Sequence, residues 1–233
     1  MSILRKWEDL PDYMKCDEVR EYYDILYRKK FSILVKRLFD YIIGFILIII
    51  LAIPMFIIAI IIKLDSPGPV FYRQDRVTRY GKHFKIHKFR TMVADADKLG
   101  EAVTIENDNR ITRFGKKIRD YRLDELPQLI DVLSGNMSFV GTRPEAVKYV
   151  EKYKPEYFAT LLLPSGITSE ASIEYKDEAK LLDSSGDIDK TYIEKVLPGK
   201  MEYNLKSIGN YSFIEDLMTM IRTVLAVIGK EYD

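Results

Sequence analysis

From Tyr41 to Ile62 the chain runs for 22 residues without a single charge, built mainly of Ile, Leu and Phe. As a helix at about 1.5 Å per residue this stretch would reach roughly 33 Å, enough for a hydrocarbon core of about 30 Å. Pro54 falls inside it. A proline removes one backbone donor and crowds the carbonyl four residues back, so the helix is expected to bend or break there, and neither half is long enough to cross alone. Both flanks are basic: Arg28, Lys29, Lys30, Lys36 and Arg37 precede the run, and Lys63 to Arg90 holds eight positive residues against Asp65 and Asp75. Because short basic flanks stay on the cytoplasmic side, a helix that enters and leaves by one face satisfies that rule twice, whereas a full span violates it once. The pattern favours a re-entrant path over a span. A cleavable leader is a poor alternative, since the run starts some forty residues in and lacks a small-residue cleavage site.

Residues 1–30 interleave seven positive and seven negative charges with Trp7, Leu10, Met14, Tyr23 and Leu26, which predicts one or two amphipathic helices lying on a headgroup layer or packed on a neighbour. After the apolar run, Asp65-Ser66-Pro67-Gly68-Pro69 ends any helix, and Val70 to Gln74 and His83 to Met92 read as two strands joined by a turn near Tyr80-Gly81-Lys82. The polar stretch from Ala94 to Asn109 reads as a mobile connection. Ile111, Phe114, Ile118 and Tyr121 then form the apolar stripe of a basic helix suited to an anionic surface or to phosphate. Asp124 stands where an N-cap would, with Pro127 in the first turn, Leu126, Leu129, Ile130 and Leu133 as the stripe and Gly135 as C-cap. The carboxy-terminal third, from Ser165, reads as helical; its last helix, about Ser212 to Ile228, holds Glu215, Asp216 and Arg222 and is expected to pack, not to cross.

Over 233 residues, 36 Lys and Arg stand against 35 Asp and Glu, and a net charge of +1 argues against a chain-wide nucleic-acid surface. The single cysteine, Cys16, excludes an intramolecular disulfide and an all-cysteine metal site, and suits a reducing compartment. His83 and His87 are too few for a zinc site and read as structural or exposed.

The block Arg119-Asp-Tyr-Arg-Leu-Asp-Glu-Leu-Pro-Gln128 carries the most chemistry. Asp124 and Glu125, with arginines one turn earlier, offer oxygen ligands suited to magnesium and guanidinium groups that match phosphate oxygens in pairs. The alternative is that Asp124 is only an N-cap and Glu125 a first-turn partner of the helix dipole. Lys88 and Arg90 fall on one face of the second strand, and Arg143 is fixed before Pro144; taken singly, each can equally be a solvated charge.

In order along the chain stand Lys36-Arg-Leu-Phe-Asp40, Pro67-Gly-Pro-Val-Phe71, Lys88-Phe-Arg-Thr-Met92, Leu123-Asp-Glu-Leu-Pro-Gln128, Gly135-Asn-Met-Ser-Phe-Val-Gly141, Arg143-Pro144 and Gly166-Ile-Thr168. Together they resemble the bacterial sugar transferases, the small monotopic phosphoglycosyl transferases, over residues 32 to 233. Ile53, Arg122, Thr142 and Ser165 depart from residues common in that family. The resemblance implies transfer of a sugar-1-phosphate from a UDP-sugar to undecaprenyl phosphate, with release of UMP, to begin a capsule, exopolysaccharide, O-antigen or glycoprotein glycan. It further implies Asp124 as nucleophile in a covalent phosphosugar-aspartyl intermediate, Mg2+ held by Glu125 and Asp124, and Lys88, Arg90, Arg119 and Arg143 as substrate-binding cations. The implied setting is the cytoplasmic face of the bacterial inner membrane, with membrane lipid and downstream glycosyltransferases as partners, no nucleic acid, and a homo-oligomer compatible with it.

The expected fold is α+β: a mostly helical, membrane-associated domain with a small β-hairpin and a re-entrant membrane helix. Its divisions are an amphipathic extension over 1–31, the re-entrant helix over 32–64 bent at Pro54, and a cytosolic catalytic domain over 65–233. Two other functions use the same residues: a membrane-bound magnesium-dependent pyrophosphatase acting on nucleotide sugars, and a non-enzymatic scaffold.

Overall fold

The computed structural model describes residues 3–94, 96, 108–176, 178 and 188–229. Most of the stretch expected to be a mobile connection, namely 95 and 97–107, lies outside these residues, as do parts of the carboxy-terminal third. The amino-terminal extension folds against the rest of the chain: α1 (Asp17–Arg28) and two short turns before it bury Leu10, Met14, Val19, Tyr23 and Leu26 in one cluster with Val77, Tyr80, Leu161 and Ile208. Of the two sequence-based options, packing on a neighbour is the one seen, and the neighbour is the chain's own domain.

α2 (Lys30–Asp65) is a single helix of 36 residues that continues through Pro54. The proline costs the bond to the Ile50 carbonyl but does not end the helix. Both halves of α2 pack on the same body. Phe39, Ile43, Leu47 and Leu51 lie against Leu129, Val132, Met137 and Phe139, and Met55, Ile58 and Ile62 lie against Phe89, Phe114 and Ile118. Buried polar contacts fasten its first turns, since Lys36 pairs with Asp216 at 2.8 Å and Asp40 Oδ2 accepts a bond from Ser138 at 2.7 Å.

The hairpin falls where the sequence places it, as β1 (Phe71–Val77) antiparallel to β2 (His83–Phe89), with Tyr72 opposite Lys88 and Val77 opposite His83. The inner face of β1 alternates Tyr72, Gln74 and Arg76. His87 is structural: its backbone N–H donates to Asp131 Oδ2 and its Nδ1 meets Oδ1, both at 2.8 Å, tying β2 to α4 (Gln128–Leu133). The basic helix forms as α3 (Arg113–Asp120), capped by the Thr112 hydroxyl, and Gly135 follows α4 at φ 76°, as a helix-terminating glycine should.

A second, parallel pair, β3 (Met137–Val140) with β4 (Ser165–Thr168), has no counterpart in the sequence reading. Its crossover holds α5 (Val147–Val150) and a 3₁₀ segment Pro155–Leu162, the length a parallel connection demands. At Gly166 a Cβ would come within 2.2 Å of the Gly141 backbone nitrogen, so only glycine lets the strands meet. Ser165 ties this pair to the hairpin by donating its N–H to the Thr78 hydroxyl at 3.1 Å, a bond that proline cannot make.

The described residues beyond β4 are mainly helical: α6 (Glu170–Glu174), α7 (Ile188–Thr191), a π turn, α8 (Leu197–Gly209) and α9 (Phe213–Ile228). α9 packs through a mixed side, with Phe213 on Phe39 and Met220 in the cluster of Leu129 and Phe139 beside polar contacts. Asp216 meets Lys36, Thr219 donates to Glu170, and the Thr223 hydroxyl lies 2.8 Å from that of Thr168. Ile214, Met218, Ile221, Val224 and Leu225 face outward. Of the 24 large apolar side chains exposed among the described residues, 18 lie on α2 and α9. An apolar surface of that extent marks a contact with lipid or another protein.

Candidate active site

Asp124 and Glu125 occupy a single 3₁₀ turn, Leu123–Glu125, entered through Arg122 at φ 56°. Leu123 and Leu126 pack with Ile58, Phe89 and Ile118 and draw this turn inward, so that both carboxylates are buried at 8% exposure. Asp124 caps nothing. α4 starts after Pro127, three residues later than the capping alternative requires, so the acidic pair belongs to the turn and not to a helix start.

The two acids are treated oppositely by their surroundings. Glu125 accepts from Lys88 Nζ at 3.1 Å and from both terminal nitrogens of Arg143. Burial alone would push its carboxyl up, but Arg143 and Lys88 outweigh burial and hold it well below the usual glutamate range. Asp124 has no hydrogen bond or ion pair among the described residues. Its carboxyl is raised by burial first and by the Glu125 charge second, with Lys88, Arg119 and Arg143 acting against both. Burial lowers the Lys88 ammonium and Glu125 opposes that shift, while Glu125 raises the Arg143 guanidinium.

Arg119 stands one turn before the pair and donates from Nε to the Thr91 hydroxyl at 2.8 Å. Arg90 lines the same cavity, but its guanidinium is held by backbone carbonyls. The strand ends at Phe89, so Lys88 and Arg90 do not present their charges together: Lys88 reaches Glu125, and the Arg90 guanidinium donates to the Ser66 and Pro67 carbonyls, each at 2.6 Å, closing the carboxy-terminal end of α2. Gly68 makes room for it, since a Cβ there, at φ 127°, would sit 1.9 Å from Arg90 Nη1.

These groups line a cavity of about 730 Å³ whose walls carry nine cationic side chains against five carboxylates. The excess matches a diphosphate. Arg76, which the sequence reading passed over, projects into the cavity from the inner face of β1 and donates to the Pro144 carbonyl at 3.3 Å; the strand alternation was the available signal. A second, largely apolar cavity of about 260 Å³ shares Asp120, Arg122, Glu125, Arg143 and Lys176 with the first and extends between Leu47 and Leu51 of α2 and Ala226 and Val227 of α9.

As to a metal, no cluster of three or more His, Cys, Asp or Glu side chains exists among the described residues. Two adjacent carboxylates suit magnesium nonetheless, because that ion is commonly held by one or two carboxylates and completed by water and substrate phosphate.

The profile of the family described as bacterial sugar transferase matches residues 31–230, and the chain belongs to that family. An Aeromonas hydrophila protein, named UDP-N-acetylgalactosamine-undecaprenyl-phosphate N-acetylgalactosaminephosphotransferase, is 35% identical over 78% of this chain and 42% of its own length. Escherichia coli UDP-glucose:undecaprenyl-phosphate glucose-1-phosphate transferase is 36% identical over 82% of this chain and 39% of its own. The Rhizobium leguminosarum exopolysaccharide production protein PSS is 34% identical over 84% of this chain and 96% of its own. The chain thus spans less than half of two of these relatives and nearly all of the third. Residues 3–30, which complete the core here, precede the family match.

Proposed function

We propose that the protein transfers a sugar-1-phosphate from a UDP-sugar to undecaprenyl phosphate at a membrane surface. The observation that carries this reading is the division of labour between adjacent acids, one neutralised by Lys88 and Arg143 and the other buried without a hydrogen-bond or ion-pair partner among the described residues. A buried carboxylate with no hydrogen bond or ion pair among the described residues is available as a nucleophile, and the cations around it stabilise charge that gathers on the transferring phosphoryl group. In the first step an Asp124 oxygen attacks the β-phosphorus, the bond to the α-phosphate oxygen breaks, and UMP leaves with the electron pair. In the second, an oxygen of the lipid phosphate attacks the same phosphorus and the Asp124 carboxylate is released. Lys88 and Arg143 hold Glu125 in place and face the diphosphate; Arg119 approaches from the α3 side. Magnesium, held by Glu125 and Asp124, would neutralise phosphate charge.

The apolar cavity between α2 and α9 supports the acceptor half of this reading, because it joins the outward apolar helices to a rim where Arg122, Arg143 and Lys176 outnumber Asp120 and Glu125. A polyprenyl chain in the bilayer could lie along it with the phosphate at the basic end. We further propose that α2 dips into one leaflet without crossing, with the catalytic body on the cytoplasmic face of the inner membrane.

The test is UMP release and lipid-product analysis with detergent-solubilised protein, undecaprenyl phosphate, magnesium and a panel of UDP-sugars. Lipid-dependent UMP release, a lipid-linked sugar and loss of both on chelation of magnesium are expected. Hydrolysis to UMP and free sugar phosphate without lipid product would identify a pyrophosphatase.

A pH titration gives a second check. In the metal-free protein the Asp124 carboxyl is raised by burial and by Glu125, so its side-chain carboxyl resonance should titrate above the ordinary aspartate value of about 3.9. Lys88 is one of the charges that lower it. Lys88→Met should move that titration to higher pH, and an unmoved titration would mean that Lys88 does not act on Asp124.

A further inference from the structure

The phosphoryl-transfer reading uses one wall of the large cavity; another wall is built from charged and aromatic groups for which that chemistry has no use. Lys200 of α8 donates to Glu178 at 3.0 Å and to the Tyr192 hydroxyl at 3.1 Å, and Tyr192 donates in turn to Glu145 Oε1 at 2.7 Å. Lys200 also pairs with Glu145 at 3.6 Å, and the Tyr149 ring packs on that of Tyr192 with centroids 4.5 Å apart. Lys200, Tyr192 and Glu145 are only 4%, 3% and 7% exposed, yet all three line the cavity that holds Asp124. Burying such groups carries a desolvation cost, so a polar wall of this kind is a poor way merely to stabilise a fold.

We propose that this wall is the subsite for the pyranose ring of the donor and sets which sugar is transferred. The inference rests on the UDP-sugar reading above and extends it to named residues. Three observations favour the sugar over the nucleotide. Lys200 lies between two carboxylates, and Arg76, which lines the cavity beside them, is drawn to Glu145; among the described residues these two cations are matched by Glu145 and Glu178, so the wall offers no net positive charge to a phosphate. Alternating donors and acceptors beside tyrosine rings match the hydroxyl-rich edge and apolar face of a pyranose. Finally, Tyr192 and Lys200 lie beyond the last shared motif, Gly166-Ile-Thr168, and the Aeromonas and Escherichia relatives, equally similar to this chain, are named for different sugars. A pocket that hydrogen-bonds substrate hydroxyls discriminates strongly between epimers because a mismatch strands buried polar groups.

The experiment is competition binding to the detergent-solubilised full chain, with UDP, UDP-glucose, UDP-galactose, UDP-N-acetylglucosamine and UDP-N-acetylgalactosamine displacing a fluorescent UDP. It needs no turnover, so it reads the subsite separately from the transfer assay. The wild type should prefer one sugar at least tenfold over its epimer. Tyr192→Phe should reduce that ratio about fivefold and Lys200→Met tenfold or more, with UDP affinity unchanged and melting temperatures recorded beside each. A parallel loss of UDP affinity would assign the wall to the nucleotide and overturn the proposal. So would unchanged sugar ratios in both folded variants, or a wild type with no preference. Failure of the transfer reading would show instead as the absence of UMP release by the wild type, whatever the binding data give.

Discussion

Asp124→Asn should abolish transfer and raise the melting temperature, whereas Glu125→Gln should impair transfer and lower it. Both acids are 8% exposed and adjacent, so burial alone gives no reason for a difference. The difference comes from their partners. Asp124, raised by burial and by its neighbour's charge, favours the protonated acid in the fold; at neutral pH its ionised form opposes folding, and that penalty disappears as pH falls through its raised value. The neutral amide removes the penalty at every pH. Glu125 is the reverse case: held low, it contributes stability that is complete above the ordinary glutamate range and is lost as pH falls through its lower folded value. Glu125→Gln leaves Lys88 and Arg143 buried against a neutral group. Breaking a buried pair in this way costs about 3–5 kcal/mol, and at about 2–4 °C per kcal/mol for a chain of this size the melting temperature should drop by roughly 10 °C. In activity, loss of the nucleophile should reduce kcat by roughly 10⁴-fold or more, and loss of the group that positions Lys88 and Arg143 by about 10²- to 10³-fold. Thermal melts at pH 7 without magnesium, together with the UMP assay, decide it. If Asp124→Asn melts lower than the wild type, or retains lipid-dependent turnover, Asp124 is not the unpaired nucleophile described above.

The legible parts of this chain were those written locally. Breakers at Asp65 to Pro69, alternation in β1 and β2, the stripe of α3 and the glycine after α4 are short-range signals, and each element lies within a few residues of its expected place. The parallel β3–β4 pair was not legible, because its strands have four residues each and are joined through a long crossover. Arg90 shows how neighbours in one motif can differ in their contacts. It lies two positions from Lys88, but the strand stops between them, and a guanidinium one residue past a strand end can turn to the nearest unsatisfied carbonyls, here those that end α2. Asp124 and Glu125 were visible as a pair, but nothing local shows that one is neutralised and the other is not. That asymmetry depends on Lys88 and Arg143, brought in from 37 and 18 residues away. The wall of Glu145, Tyr192 and Lys200 was invisible for the same reason, its members being separated by 47 and 8 positions.

The orientation of α2 gives an all-or-none prediction: cysteines at both of its ends should react from the same side of the membrane. The helix is long enough to span, at about 1.5 Å for each of its 36 residues, so length does not decide the matter. Packing bears on it more directly. Side chains from Ile33 to Ile62 contact one body along the whole helix, and that body contains the cation-rich cavity. To stand α2 across a bilayer would carry those charges into hydrocarbon, at roughly 2.5–3.5 kcal/mol for each one brought to the centre. Tilting the molecule so that only the outward face enters avoids this, and it places Ile53, 72% exposed at mid-helix, in lipid together with the outward side of α9. The two ends stay with the body, one through Lys36 and Asp216, the other through Arg90 and the carbonyls of Ser66 and Pro67. In a Cys16→Ser background, Phe31→Cys and Leu64→Cys, at positions 78% and 82% exposed, should both resist an impermeant maleimide in spheroplasts and both react in inverted vesicles. Ile53→Cys should resist it in both. Labelling of positions 31 and 64 from opposite sides would establish a full span, and the acceptor path between α2 and α9 would then have to be abandoned, since a spanning α2 would take Leu47 and Leu51 away from the basic end of that cavity.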